Sequence, residues 1–369
     1  MISELRKKPE FLLVKNALSP RYGKLEKAWI IIKNDRIKNI SFKNQPRSFL
    51  KTADSDRATL IDADGGLLLP GAIDPHVHLR EPGMTHKEDF ETGSRAAAAG
   101  GITTVLDMPN TKPPVFTLKE LQLKRTLARG RMMVNYGFYM GARPADSSDR
   151  SVIKKICSEI KKAKNVPGTK IYMDETTGNH IISDEKALER IFRASRLVAV
   201  HAESANVKKA IAAAKSARKK LYCCHISTSK EISYIAEAKM KQKVYCEVTP
   251  HHLFLSEEDY TNGFRKMKPP LRSRDNVDSL WEAIRNGIVD TIGTDHAPHT
   301  LQEKKSDNPP YGVPGLETMM PLVLTAARDG AIDYESVKKL TSQNAAKIFR
   351  MRGRGILRKN FFADISIYD

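Results

Sequence analysis

The sequence predicts an α/β fold: a (β/α)8 TIM barrel carrying a small composite β domain built from the N- and C-terminal segments. Three observations carry this prediction. Strand-like and helix-like runs alternate eight times between residues 69 and 345, the pattern of a parallel sheet wrapped by helices. Residues 1–68 instead show short strand-like runs with no long helical pattern, and a further such run closes the chain in 346–369. Histidines and one aspartate recur where the barrel strands are expected to end, the rim on which this architecture places its chemistry.

The N-terminal runs are EFLLVKNAL, KAWIIIKN, RIKNISF and ATLIDAD, with Gly65-Gly66 and Pro70-Gly71 punctuating the exit. The first barrel strand is AIDPHV. Its helix is expected from Thr85, where Glu88 completes a capping-box pattern, to Gly100-Gly101. The next strands are ITTVLDM, RMMVNYGFYM and TKIYM, with helices near 117–129, 149–163 and 184–195. LVAVHA, LYCCHI and KVYCEVT follow, with helices near 204–219, 229–241 and 275–286. The eighth strand, VDTIGT, precedes a helix near 316–329, and ESVKKLTSQNAAKIF forms a final helix. The closing run ADISIYD is expected to return to the N-terminal strands as a shortened end of the small domain.

The length of 369 residues suits about two domains, and the 40% hydrophobic content allows a sizeable core. No segment has the ~18 consecutive apolar residues of a membrane span. The start, MISELRKKPEFLLVKN, lacks the apolar core of a signal peptide, so a cytoplasmic protein is expected. The net charge of +19 is spread over predicted helices, as in Lys154, Lys155, Lys161, Lys162 and Lys164, without interleaved aromatics. No nucleic-acid-binding motif accompanies it, so the lysines read as solvated helix faces in a field that attracts small anions. The four cysteines form no C-x-x-C pair and read as small core residues in a reducing compartment.

The stretch PGAIDPHVHLREPG, Pro70 to Gly83, concentrates chemistry. His76 and His78 stand two residues apart, so on a strand both imidazoles face one side, as a pair of metal ligands must. Lys170 lies in the fourth strand, His201 ends the fifth, His225 the sixth and Asp295 the eighth. Singly, each has a bland reading as a structural histidine, a capping aspartate or a snorkelling lysine. On one rim together, imidazole and carboxylate suit zinc and similar divalent metals. An ammonium cannot bind a metal. If Lys170 reacts with carbon dioxide, its carbamate offers two anionic oxygens able to bridge cations about 3.5–4 Å apart.

HVHLREPG, DMPNTKPP, GTKIYM, AVHAE, CCHISTS, EVTPHHLFLS and GTDHAPH resemble the dihydroorotases of the amidohydrolase superfamily, from about Asp62 to the C-terminus. The likeness is to the class I-like branch that includes the dihydroorotase domain of the large animal pyrimidine-synthesis protein. It implies two divalent metal ions, zinc by expectation. One is held by His76, His78 and Asp295, the other by His201 and His225, with carboxylated Lys170 between them. It implies reversible hydrolysis of (S)-dihydroorotate to N-carbamoyl-L-aspartate, the third step of pyrimidine synthesis. Asp295 would pass a proton to the leaving ring nitrogen. Arg80, Asn110 and His299 would grip the substrate carboxylate, a task suited to a guanidinium fork and N–H donors. Thr176 and Thr177, in DETTGN with Gly178 as a hinge, would lie on a mobile loop. His251 and His252 would support the site or serve the fold.

The sequence departs from its relatives in three places. The segment between His201 and His225 is short, Lys268 in KMKPPLR stands where relatives often carry Asn, and the chain stops soon after its returning strand. Asp174 is an alternative to Lys170 as the bridging group, since some relatives use an Asp a few residues later. Allantoinase, hydantoinase and dihydropyrimidinase share the metal ligands, but their neutral rings need no carboxylate clamp. A catalytically silent subunit scaffolding a transcarbamoylase is the other alternative. The expected partner is a small-molecule substrate, with neither nucleic acid nor membrane. A homodimer and an association with aspartate carbamoyltransferase are the protein partnerships the resemblance leaves open.

Overall fold

The computed structural model describes residues 10–53, 57–175, 180–260 and 262–369. The chain divides into two compact units, Met1–Ala72 with Asp333–Asp369, and Ile73–Ile332.

The first unit is a sheet drawn from both ends of the chain. Strands β1 (Phe11–Arg21), β2 (Lys24–Lys33) and β3 (Arg36–Phe42) form an antiparallel meander, and β4 (Ala58–Asp62) and β5 (Leu67–Pro70) lie parallel to β1. The C-terminal strand joins this sheet by pairing antiparallel with β5, Ile365 opposite Pro70 and Tyr368 opposite Leu67. Alternation sorts the strand side chains: Val14, Ala28, Ile30, Ile32 and Ile37 fill one face, and Leu13, Trp29 and Ile31 the other. The second face is covered by a short helix, Arg47–Ala53, whose Phe49 packs on those three residues. The strand reading of residues 1–68 missed this helix, because one apolar anchor in seven residues carries no helical period.

In the second unit β6 (Ala72–Val77), β7 (Ile102–Asp107) and β8 (Asn135–Phe138) form one sheet. A second runs from β9 (Met140–Gly141) through β10 (Thr169–Tyr172), β11 (Leu197–His201), β12 (Lys220–Cys223) and β13 (Val244–Val248) to β14 (Thr291–Ile292). The expected third strand is thus broken at Tyr139, whose N–H donates to Asp107 O. A parallel bridge between Val77 and His296 links the exit of β14 back to β6. These are the strands of a TIM barrel, and β6, β10 and β11 are buried along their whole length, as parallel strands covered on both faces must be. Helices such as Leu118–Ala128, Arg150–Lys162 and Glu185–Ala194 lie where the sequence places them.

The first barrel helix begins later than expected. Thr85–Lys87 is a turn, and the helix is Phe90–Ala99, capped by Asp89, which accepts from Thr92 N. Glu88 does not cap, because its carboxylate lies 2.9 and 3.0 Å from His296 Nε2. The last helix is continuous but contains a π turn, Lys339–Gln343, between Tyr334–Lys338 and Asn344–Ile348. Among the described residues no helix is long and apolar enough to cross a membrane. All four cysteines are free, and Cys223, Cys224 and Cys246 are buried.

Candidate active site

The carboxyl ends of the barrel strands surround one cavity, lined among others by His76, His78, Arg80, Asn110, Lys170, His201, His225, Lys268 and Asp295. Local backbone geometry aims several of these groups. Arg80, His225 and Asp295 all adopt positive φ, at +62°, +36° and +48°. Such conformations cost about 1–3 kcal/mol for non-glycine residues and persist where the surroundings over-determine them.

His76 Nε2 and His78 Nε2 lie 3.1 and 3.0 Å from the same oxygen, Asp295 Oδ1. The other nitrogen of each ring is engaged outward: His76 Nδ1 is 2.8 Å from Glu247 Oε1, and His78 Nδ1 is 2.7 Å from Asn110 Oδ1. Burial drives the pKa of His76 well below the ordinary value, and burial with the nearby Arg80 charge takes that of His78 down to about 3. Both shifts favour the neutral imidazole. In the tautomer that donates from Nδ1 to Glu247 and to Asn110, two nitrogen lone pairs meet a carboxylate oxygen. Acceptor against acceptor is repulsive unless a cation lies between them, so this donor set fits a divalent metal.

Next to this cluster, with the His225 ring centroid 5.3 Å from that of His76, His201 Nδ1 and His225 Nε2 lie 2.8 Å apart, with both rings buried and their pKa values lowered, chiefly by burial. Lys170 reaches the same space: its Nζ donates to Cys224 Sγ at 3.1 Å. Asp174 faces elsewhere, because its carboxylate accepts from Glu203 N and Asn206 Nδ2, each at 2.7 Å. Of these two alternatives, Lys170 is the one on the cavity wall.

Arg80 is nearly buried, with Nε donating to Pro298 O at 3.0 Å. His299 is not on the cavity wall but behind Arg80. Its Nε2 is 3.1 Å from Arg80 NH2 and 2.8 Å from Tyr311 O, and its Nδ1 accepts from Lys87 Nζ at 2.9 Å. Lys268 faces the cavity 3.5 Å from Glu203 Oε1. His251 and His252 are buried away from the wall, His252 between Thr249 Oγ1 and Pro269 O. Thr176 and Thr177 lie outside the described residues.

Several groups that shape the site were not singled out from the sequence. Glu247 accepts from Tyr222 Oη and His225 N besides meeting His76, and burial raises its pKa to about 8. Gly293 makes room for it, since a Cβ there would lie 2.6 Å from Glu247 Oε2. Asp74 ties β6 to the exit of β14 by accepting from Thr294 Oγ1, Thr294 N and His76 N. Tyr172 stands two residues after Lys170, hence on the same strand face, and its buried hydroxyl has no hydrogen-bond partner among the described residues. That i, i+2 spacing was the available signal for Tyr172, as EVTPHH and AIDPHVH were for Glu247 and Asp74.

The amidohydrolase family model matches residues 67–369. A protein named dihydroorotase from Methanosarcina acetivorans is 35% identical over 402 residues, covering 96% of this chain and 83% of that protein. The multifunctional protein CAD of Squalus acanthias is 38% identical over 290 residues, covering 77% of this chain but 12% of that protein's length. Among solved structures, the L-hydantoinase (dihydropyrimidinase) of Arthrobacter aurescens superposes with a TM-score of 0.85 at 26% identity, covering 96% of this chain and 86% of that one. The chain therefore belongs to the amidohydrolase family of hydrolytic enzymes.

Proposed function

We propose that the chain is a dihydroorotase. It hydrolyses the cyclic amide of (S)-dihydroorotate to N-carbamoyl-L-aspartate, and the reverse, in pyrimidine biosynthesis. The observation that carries this reading is the placement of Arg80 on the same cavity wall as the histidine–aspartate cluster, two residues past His78. A guanidinium there recognises a ring that bears a carboxylate, whereas the neutral rings of hydantoinase substrates need no such group. Relatives named dihydroorotase, matched over most of this chain, support the same substrate.

His76, His78 and Asp295 would hold one divalent ion, and His201 with His225 a second. The Lys170 carbamate would lie between them, and zinc suits the imidazole-rich set. Such ions lower the pKa of water and polarise a carbonyl oxygen. Asp295 is the proton carrier, its carboxylate taking a proton from the attacking water and delivering it to the departing ring nitrogen. Arg80 and the Asn110 amide orient the substrate carboxylate. Asn110 also faces His78, so substrate recognition and ligand orientation meet in one side chain. Kinship with part of a multifunctional protein supports work beside another catalytic chain, aspartate carbamoyltransferase, and a homodimer is the expected self-association.

The test is hydrolysis of dihydroorotate and hydantoin by the metal-loaded protein, before and after chelation, alongside Asp295→Ala. Dihydroorotate turnover that is lost on chelation and in the variant is expected. Turnover of hydantoin alone, or full activity of Asp295→Ala, would overturn the assignment.

A further inference from the structure

Beside the Leu79–Arg80 segment lies an ion pair whose two side chains are not on the cavity wall. Asp107 ends β7 and Lys124 sits on helix Leu118–Ala128. Both side chains are 0% exposed, and Nζ lies 2.7 Å from Oδ2. Lys124 also donates to Met108 O at 2.9 Å, and Asp107 Oδ1 accepts from Leu79 N at 3.0 Å. Two backbone turns are thus held from one point. The first is Leu79–Arg80, where Arg80 adopts its positive φ of +62°. The second leaves β7 through Met108 toward Asn110.

A buried ion pair is a poor device for stability alone, because desolvating both ions roughly cancels their attraction, and apolar residues of similar volume often do as well. What it adds is direction, since each charge has a fixed set of partners. Asp107 takes the N–H just before the strained residue, and Lys124 takes the carbonyl two residues before Asn110. Burial lowers the Lys124 pKa while the Asp107 charge opposes the shift, in keeping with an ammonium held by its partner.

We propose that Asp107 and Lys124 are positioning residues for anion recognition, fixing the Leu79–Arg80 turn and the Met108–Asn110 turn in one register so that guanidinium and amide grip a single carboxylate. This rests on the dihydroorotate reading given above.

The test replaces the pair by apolar residues, Asp107→Leu with Lys124→Met, which removes both charges together and avoids stranding one. Asp107→Asn with Lys124→Gln, which keeps an acceptor for Leu79 N and an amide donor in place of the ammonium with no buried charge left unpaired, is the milder second variant. Each is compared with wild type by thermal melting, by kcat and KM for dihydroorotate, and by the Kd for orotate, a planar carboxylate. The apolar double variant is expected to stay folded, melting below wild type because Leu79 N and Met108 O lose their partners, while KM and the orotate Kd rise about tenfold or more, with kcat changed far less, as misplacement of binding groups predicts. Asp107→Asn with Lys124→Gln is expected to fall between the two, and it decides the matter if the apolar double variant does not fold. A folded variant with KM and orotate Kd within about twofold of wild type, or one that loses kcat alone, overturns the proposal. Wild type that binds orotate but does not turn over dihydroorotate would count against the assigned reaction, while the orotate Kd still tests the pair.

Discussion

His76 Nδ1 lies 2.8 Å from Glu247 Oε1, with both side chains buried. This contact sets which nitrogen of His76 faces Asp295. The same carboxylate receives the His225 N–H at 3.1 Å, so one residue on β13 orients groups from the ends of β6 and β12. Outer partners of this kind typically change metal affinity 10–100-fold when lost. Glu247→Ala is therefore expected to weaken divalent-cation binding by about that factor, and Glu247→Gln, which retains an acceptor, by less. Competition with a chromophoric chelator measures this. Equal affinity in wild type and Glu247→Ala would show that the contact does not tune the ligand.

Arg80 brings a charge into a nearly buried position, where Pro298 O holds its Nε and burial lowers its pKa. A charge-assisted hydrogen bond contributes about 1.5–3 kcal/mol, so Arg80→Met is expected to lower kcat/KM for dihydroorotate about 10- to 100-fold, mostly through KM. Steady-state kinetics on dihydroorotate and an uncharged cyclic amide decide it. Equal losses on both substrates would remove the carboxylate clamp from the account.

Much of this site was legible because strand period and barrel architecture are local rules. His76 and His78 share a face by spacing alone, Lys170 falls within a strand, and His201, His225 and Asp295 fall at or just past strand ends marked by apolar runs. What stayed hidden depended on pairings across the fold. Nothing near Lys124 in sequence announces that it is buried against Asp107. Thr85 and Glu88 satisfied a capping pattern, yet Glu88 lies against His296, which is distant in sequence, and the helix starts at Phe90. His299 belongs to a motif that resembles a substrate contact, but its position behind Arg80 follows from where the Pro298 and Tyr311 backbones pass.

Tyr172 buries a hydroxyl that meets no acceptor among the described residues. Leaving a buried polar group unpaired costs about 1–3 kcal/mol, and deleting it without changing shape recovers part of that. Tyr172→Phe is therefore expected to leave the metal-free protein as stable as wild type or to stabilise it by about 1 kcal/mol. Urea unfolding of the metal-free pair measures this, and a loss above ~1 kcal/mol would mean that the hydroxyl is satisfied in solution.

Lys304 is buried and donates to Gly312 O at 2.9 Å, Pro310 O at 3.0 Å and Lys266 O at 3.3 Å. These acceptors belong to the two segments that carry the cavity residues Lys268, Tyr311 and Gly312, and Gly312 N donates in turn to Lys266 O. Burial, aided by the Lys266 charge, lowers the Lys304 pKa from 10.5 to about 8. Between those two values the folded chain holds fewer protons at this residue than the unfolded chain. Its contribution to stability therefore rises with pH across that window, and the cost of burying the charged form is felt most below about pH 8. Comparing wild type with Lys304→Met isolates the effect, because other alkaline titrations are common to both. The stability difference, wild type minus variant, is expected to shift in favour of wild type as the pH is raised from about 7 to about 10. Urea midpoints at several pH values provide the measurement. A difference that stays constant or moves the other way would mean that Lys304 keeps its proton through this range and that the three carbonyls hold it more strongly than burial opposes it.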